Sequence, residues 1–181
     1  VSRRSRNFKK GKYYTLVKKF FIVGMPASGK SRLGKYISSM TDLCFIDLDL
    51  EIEKKLDSNV KDIFEIKGEK FFRKFETKTL KEIIESESNF ILATGGGTPC
   101  FNENMSIINN SGVSIFIDVK REILHERISR NDKRPLLSGA VSLKKKLSDL
   151  YKERIEYYQK SKYHVSKDVR DRVLSIINSY S

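Results

Sequence analysis

The 181-residue sequence predicts an α/β fold in three layers, a five-stranded parallel sheet with helices on both faces. Three observations carry that expectation. Short apolar runs alternate with segments of helical period from residue 19 onward, which implies right-handed crossovers between parallel strands. No internal repeat and no linker divides that body, so residues 19–181 read as one domain. The residues with chemical potential fall where strands end, which is where such sheets bind ligands.

The elements follow in order. Residues 20–23 (Phe-Phe-Ile-Val) are aromatic and β-branched and read as a strand ended by Gly24. A helix is predicted over 29–40, with Leu33, Tyr36, Ile37 and Met40 on one face. Residues 43–47 form a second strand. Short helices are predicted over 52–56 and 60–66, and a long one over 69–87. A third strand over 90–94 stops at Gly95-Gly96-Gly97, and a fourth spans 113–118. Helices are then expected over 121–130 and 143–158, on either side of a polar stretch. A short fifth strand (163–165) and a closing helix (168–179) complete the chain.

Composition narrows the function classes. Hydrophobic residues at 39% with only 3 prolines exclude a low-complexity or collagen-like chain. No apolar run approaches the ~20 residues of a membrane helix, so no membrane partner is expected. Cys44 and Cys100 read as small buried hydrophobes, and neither they nor His125 and His164 have metal-ligand spacing. A reducing, cytoplasmic setting fits that cysteine usage. The net charge is +13, and residues 1–19 hold eight basic side chains and no acid. Residues 1–18 therefore read as a solvated, disordered basic arm. The moderately basic body suits an enzyme acting on anions. Nucleic acid is a disfavoured partner, because the body lacks a dense basic stripe with interleaved aromatics.

Six elements carry the chemistry. Gly24-Met25-Pro26-Ala27-Ser28-Gly29-Lys30-Ser31 matches G-x-x-x-x-G-K-[ST] between a strand and a helix, the context in which backbone N–H groups cradle phosphates. Lys30 would reach the outer phosphates and the Ser31 hydroxyl a magnesium ion. Asp47 and Asp49 lie two apart after the second strand, where alternation would turn both carboxylates into one cleft. A helix N-cap followed by first-turn acids is the plainer account of the same pair. Arg73 and Glu76 are three apart on a helix, so the acid can hold the guanidinium. Gly95-Gly96-Gly97 permits close backbone approach to a ligand. Arg134-Pro135-Leu136-Leu137 sits in the polar stretch, which reads as a mobile flap, and Arg154 lies on a helix of mixed charge.

In this order the motifs resemble the shikimate kinase family, over about residues 19–165. The resemblance implies a nucleoside-monophosphate-kinase-like P-loop fold with a substrate-binding segment near 48–76 and a lid near 131–142. It implies transfer of the ATP γ-phosphate to the 3-hydroxyl of shikimate, with one Mg²⁺, in a chain expected to be monomeric. The nucleotide would meet residues 24–32 (Gly24, Met25, Pro26, Ala27, Ser28, Gly29, Lys30, Ser31 and Arg32), with Arg127 against adenine. Lys30 and Arg134 would neutralise the moving phosphoryl group. Ser31 would hold the metal directly and Asp47 through water. Asp49 would bind the acceptor hydroxyls and act as base or orienter. Arg73 and Arg154 would grip the carboxylate, Glu76 would brace Arg73, and Gly95, Gly96 and Gly97 would meet the acceptor. Val60, Phe64 and Phe72 would line its apolar wall. Ala27 stands where the family usually has glycine, and Arg32 where it has a small hydroxyl residue. The alternative is another small-molecule P-loop kinase, of the gluconate or nucleotide type.

Overall fold

The computed structural model describes residues 18–130 and 143–180. Its five parallel strands are β1 (Lys19–Val23), β2 (Cys44–Asp47), β3 (Phe90–Ala93), β4 (Val113–Ile117) and β5 (Tyr163–Val165), in the order β2-β3-β1-β4-β5. Every pairing is parallel, from Phe20↔Ile91 to Ile117↔Val165. The connections run through α1 (Lys30–Met40), α2 (Leu48–Leu56), α3 (Val60–Ser86), α4 (Asn104–Ser111), α5 (Arg121–Ser129) and α6 (Leu143–Tyr158). α7 (Val169–Asn178) closes the fold. The expected three-layer α/β architecture is therefore what the chain adopts.

Alternation along β1 supplies both faces of the core. Phe20 and Ile22 join Leu33 and Ile37 of α1 and Val173 and Ile177 of α7 on one face. Phe21 points the other way, among Leu48, Ile52, Ile63, Phe72, Leu80 and Ile108. Both sides of the central strands are thus dry, which explains their unbroken apolar runs. A third cluster, with Val23, Met25, Phe116, Leu147 and Tyr158, sits under the carboxyl ends of β1 and β4.

The helices of 60–66 and 69–87 meet as one kinked α3, and the kink is Gly68 at φ 79, ψ 164. A positive φ of that kind favours glycine, and the non-helical Gly68 separates the two helical stretches the sequence predicts. α2 begins at Leu48, four residues earlier than expected, because the Asp47 carboxylate caps it by accepting from the N–H groups of Asp49 and Leu50. Two elements escaped the sequence reading, a 3-10 turn at Thr98–Cys100 and α4. α4 is rich in asparagine and serine, which favour turns, so its short apolar face (Met105, Ile108) was hidden. Cys44 is exposed rather than buried, because it opens an edge strand, while Cys100 is half-buried.

Candidate active site

The order in which strands are added reverses at the centre of the sheet, where the parallel β1 and β3 lie side by side and their carboxyl ends carry the phosphate loop and the glycine loop. That is the crevice open α/β sheets use for ligands. The phosphate loop leaves β1 at Gly24 and enters α1 at Lys30, with Gly29 in the left-handed region at its N-terminus. Lys30 is buried, and its Nζ donates to the carbonyls of Gly24 and Met25 at 2.9 Å each. Ser31 and Arg32 are exposed on the first turn of α1. Ala27 holds a left-handed φ of 65, the strain that glycine would avoid. Arg127 donates from Nη1 to the carbonyls of Ala27 and Ser28 at 3.1 and 3.3 Å, so α5 is fastened to the loop.

The glycine loop touches three parts of the crevice at once. A Cβ on Gly95 would stand 2.8 Å from Asp49 Oδ1, one on Gly96 2.7 Å from Pro26, and one on Gly97 2.7 Å from an Arg73 nitrogen. Each approach is closer than a real side-chain carbon tolerates, so the bare backbone brings the acidic, phosphate-binding and basic groups together. Among the described residues, the N–H groups of Gly96 and Gly97 donate to no protein acceptor.

Arg73 is buried and fixed from several sides. Its Nη1 donates to Glu76 Oε2 at 3.0 Å, and Nε and Nη2 both donate to Glu69 Oε1 at 3.2 and 3.1 Å. Its guanidinium lies over Phe101 at 4.2 Å, Phe72 at 5.2 Å and Phe64 at 5.5 Å. Glu76 is fully buried, and its Oε1 accepts from Thr98 Oγ1 at 2.6 Å. Phe64 and Phe72 therefore serve Arg73 directly, with Val60 on the same apolar face. Arg154 is half-buried on α6, and its charge bears on the Tyr158 hydroxyl. The charges of both arginines bear on Cys100, whose thiol burial pushes up to about 11.

Asp49 stands in the first turn of α2 rather than on β2, so the strand argument for pairing it with Asp47 fails and the N-cap account holds. The pair is nonetheless close enough for Asp47 to raise the Asp49 pKa. Burial is the main cause of that rise, followed by Glu76 and then Asp47, and it reaches about 6. Lys30 acts on Asp49 in the opposite direction. Asp49 is the acid in this crevice whose affinity for a proton is moved toward neutrality, as a proton acceptor at neutral pH requires.

The sequence reading missed Glu69, Thr98, Phe101 and Tyr158. Glu69 was visible as an acid four residues before Arg73. The other three depend on the 3-10 turn and on where α6 ends, which no local pattern announces. Arg134 and the expected flap (131–142), like residues 1–17, lie outside the described residues.

A phosphate loop at the switch point of a parallel sheet, facing a half-buried acid and two arginines across a glycine loop, defines a P-loop phosphotransferase acting on a small anionic acceptor. The comparisons narrow the class. The shikimate kinase family model matches residues 26–180. Shikimate kinases of Flavobacterium psychrophilum and Clostridium botulinum (strain ATCC 19397 / Type A) are 40% and 35% identical, over 84% and 88% of this chain and 91% and 94% of theirs. The solved shikimate kinase from Acinetobacter baumannii in complex with shikimate superposes with a TM-score of 0.82 at 29% identity, covering 90% of this chain and 94% of that one. The chain belongs to the shikimate kinase family.

Proposed function

We propose that the protein transfers the γ-phosphoryl group of ATP to the 3-hydroxyl of shikimate, giving shikimate 3-phosphate and ADP, a step toward chorismate and the aromatic amino acids. The observation that carries this reading is the triple contact of residues 95–97, with Asp49, Pro26 and Arg73 each within 3 Å of a missing Cβ. That contact brings the acid, the phosphate loop and the anion-binding arginine around one crevice.

The acceptor carboxylate meets Arg73 and Arg154. Arg73 suits the task because its fork is already oriented by Glu69 and Glu76, so little side-chain freedom is lost on binding. The acceptor hydroxyl faces Asp49, which takes its proton as the new O–P bond forms and the bond to the β-phosphate bridging oxygen breaks. ADP leaves with the electron pair. Lys30 exchanges its bonds to the loop carbonyls for phosphate oxygens and offsets the charge spread over the transferring group.

The residues present fit a magnesium ion. Ser31 offers an exposed hydroxyl at the end of the phosphate loop, and one Asp47 oxygen caps α2 while the other is left for a metal-bound water. Among the described residues no cluster of three acidic, histidine or cysteine side chains exists. That suits an ion held largely by phosphates and water. When bound, it neutralises phosphate charge and fixes the triphosphate. No helix of the described residues is long and apolar enough to cross a membrane. The reading includes a cytoplasmic, monomeric enzyme.

The test is a coupled assay of ADP release with shikimate and with gluconate, each with magnesium and with excess chelator. Shikimate-dependent, chelator-sensitive release is expected. Release with gluconate and none with shikimate would move the protein to the alternative kinase class.

A further inference from the structure

We infer that Tyr158 is a positioning residue for acceptor binding, one buried hydroxyl that holds the glycine loop in place beside Arg73. This rests on the proposed function, in which Arg154 and residues 95–97 face the acceptor.

Tyr158 is the last residue of α6 and is fully buried, its ring against Phe116 at 5.2 Å between centroids. Arg154 lies one helical turn earlier, and its charge bears on the Tyr158 oxygen. That oxygen also lies 2.5 Å from the Gly96 carbonyl and 3.8 Å from Met25 Sδ. A phenol has one proton to give. The short contact takes it, so the hydroxyl donates to Gly96, and the Met25 sulfur is a packing contact. Burial pushes ionisation of the phenol far above its ordinary range, so it remains a donor.

Three consecutive glycines have wide conformational freedom, and a loop that must meet a substrate by its backbone needs an external constraint. In a planar trans peptide the carbonyl and the following N–H point in opposite directions. Fixing the Gly96 carbonyl on Tyr158 therefore also fixes the Gly97 N–H. Gly97 is the residue whose absent Cβ would lie against the Arg73 guanidinium. One hydroxyl thus orients the backbone beside Arg73. A phenylalanine would fill the same volume without doing so.

The experiment compares wild type with Tyr158→Phe, varying shikimate and ATP separately and melting each protein. Tyr158→Phe keeps the ring packing, and an unchanged KM for ATP reports an intact nucleotide site. The expected result is a shikimate KM raised roughly three- to tenfold, with the KM for ATP within about twofold, because the bond that orders the loop beside the acceptor is lost. An unchanged shikimate KM in Tyr158→Phe, or equal rises for both substrates, would overturn the inference while leaving the function standing. A wild type that does not turn shikimate over would overturn the functional reading, and this inference with it.

Discussion

Asp49 Oδ1 and Glu76 Oε1 crowd one point, the position a Cβ on Gly95 would occupy, at 2.8 and 3.1 Å from it. Two carboxylates of different task share that space. Glu76 is spent on Arg73 and Thr98, while Asp49 faces the crevice with its proton affinity raised by its surroundings. A glycine between them is a steric requirement.

Gly95→Ala should therefore disturb both acids. The added carbon would meet Asp49 Oδ1 and Thr98 Oγ1 at under 3 Å. Overpacking of this kind costs about 1–3 kcal/mol, read by urea unfolding. Displacing Asp49 should lower kcat at least about tenfold, since small misplacements of reacting groups are costly. Wild-type stability and turnover together would show that the loop yields freely.

Asp49→Asn should lower activity and raise stability. The Asp49 pKa of about 6 lies above its ordinary value near 4, so between those pH values the folded chain holds a proton the unfolded chain has released. Stability from this group therefore falls as pH rises through that window and stays lower above it. Asparagine removes the penalty. The variant should melt above wild type at pH 7.5, and the gap should close toward pH 4, while turnover drops by roughly 10²–10⁴. A variant melting below wild type at pH 7.5 would contradict the desolvated, like-charge environment assigned to Asp49.

Arg73→Lys keeps the charge and loses the planar fork that now reaches Glu69 and Glu76 and lies over Phe101. The carboxylate it would bind carries the same charge in ground and transition states. Its loss should appear as a shikimate KM raised roughly tenfold or more, with kcat far less affected. Steady-state kinetics with shikimate varied checks this, and a fall in kcat at unchanged KM would move Arg73 out of acceptor binding.

Much of this site was legible in the chain because its parts are local. The phosphate loop is a continuous motif with strand and helix flanks, and Arg73–Glu76 is a helical pair. What local pattern misjudged was burial. An i,i+3 pair looks the same on a surface and in a core, and only the packing of α3 shows that Glu76 is fully enclosed. The Asp47–Asp49 spacing fits a strand or a cap, and the two bonds that Asp47 accepts from Asp49 and Leu50 decide for the cap. Tyr158 was invisible because its partners, Gly96 and Met25, are 62 and 133 residues away.

Ala27→Gly tests the strain in the phosphate loop. Ala27 holds φ 65, a region that costs an ordinary residue about 1–2 kcal/mol, part of which glycine returns through its freer unfolded chain. A net gain of up to about 1 kcal/mol in urea unfolding is expected. A loss of that size would mean the Ala27 methyl contributes more by packing than its backbone costs.

The central claim is that one acceptor hydroxyl receives the γ-phosphoryl group, and phosphorus NMR of a complete reaction with ATP, magnesium and shikimate tests it most directly. The account predicts loss of the γ resonance matched by one new phosphate monoester coupled to a single ring proton, that of the carbon bearing the 3-hydroxyl. Inorganic phosphate in place of the ester, or an ester at another hydroxyl, would contradict it.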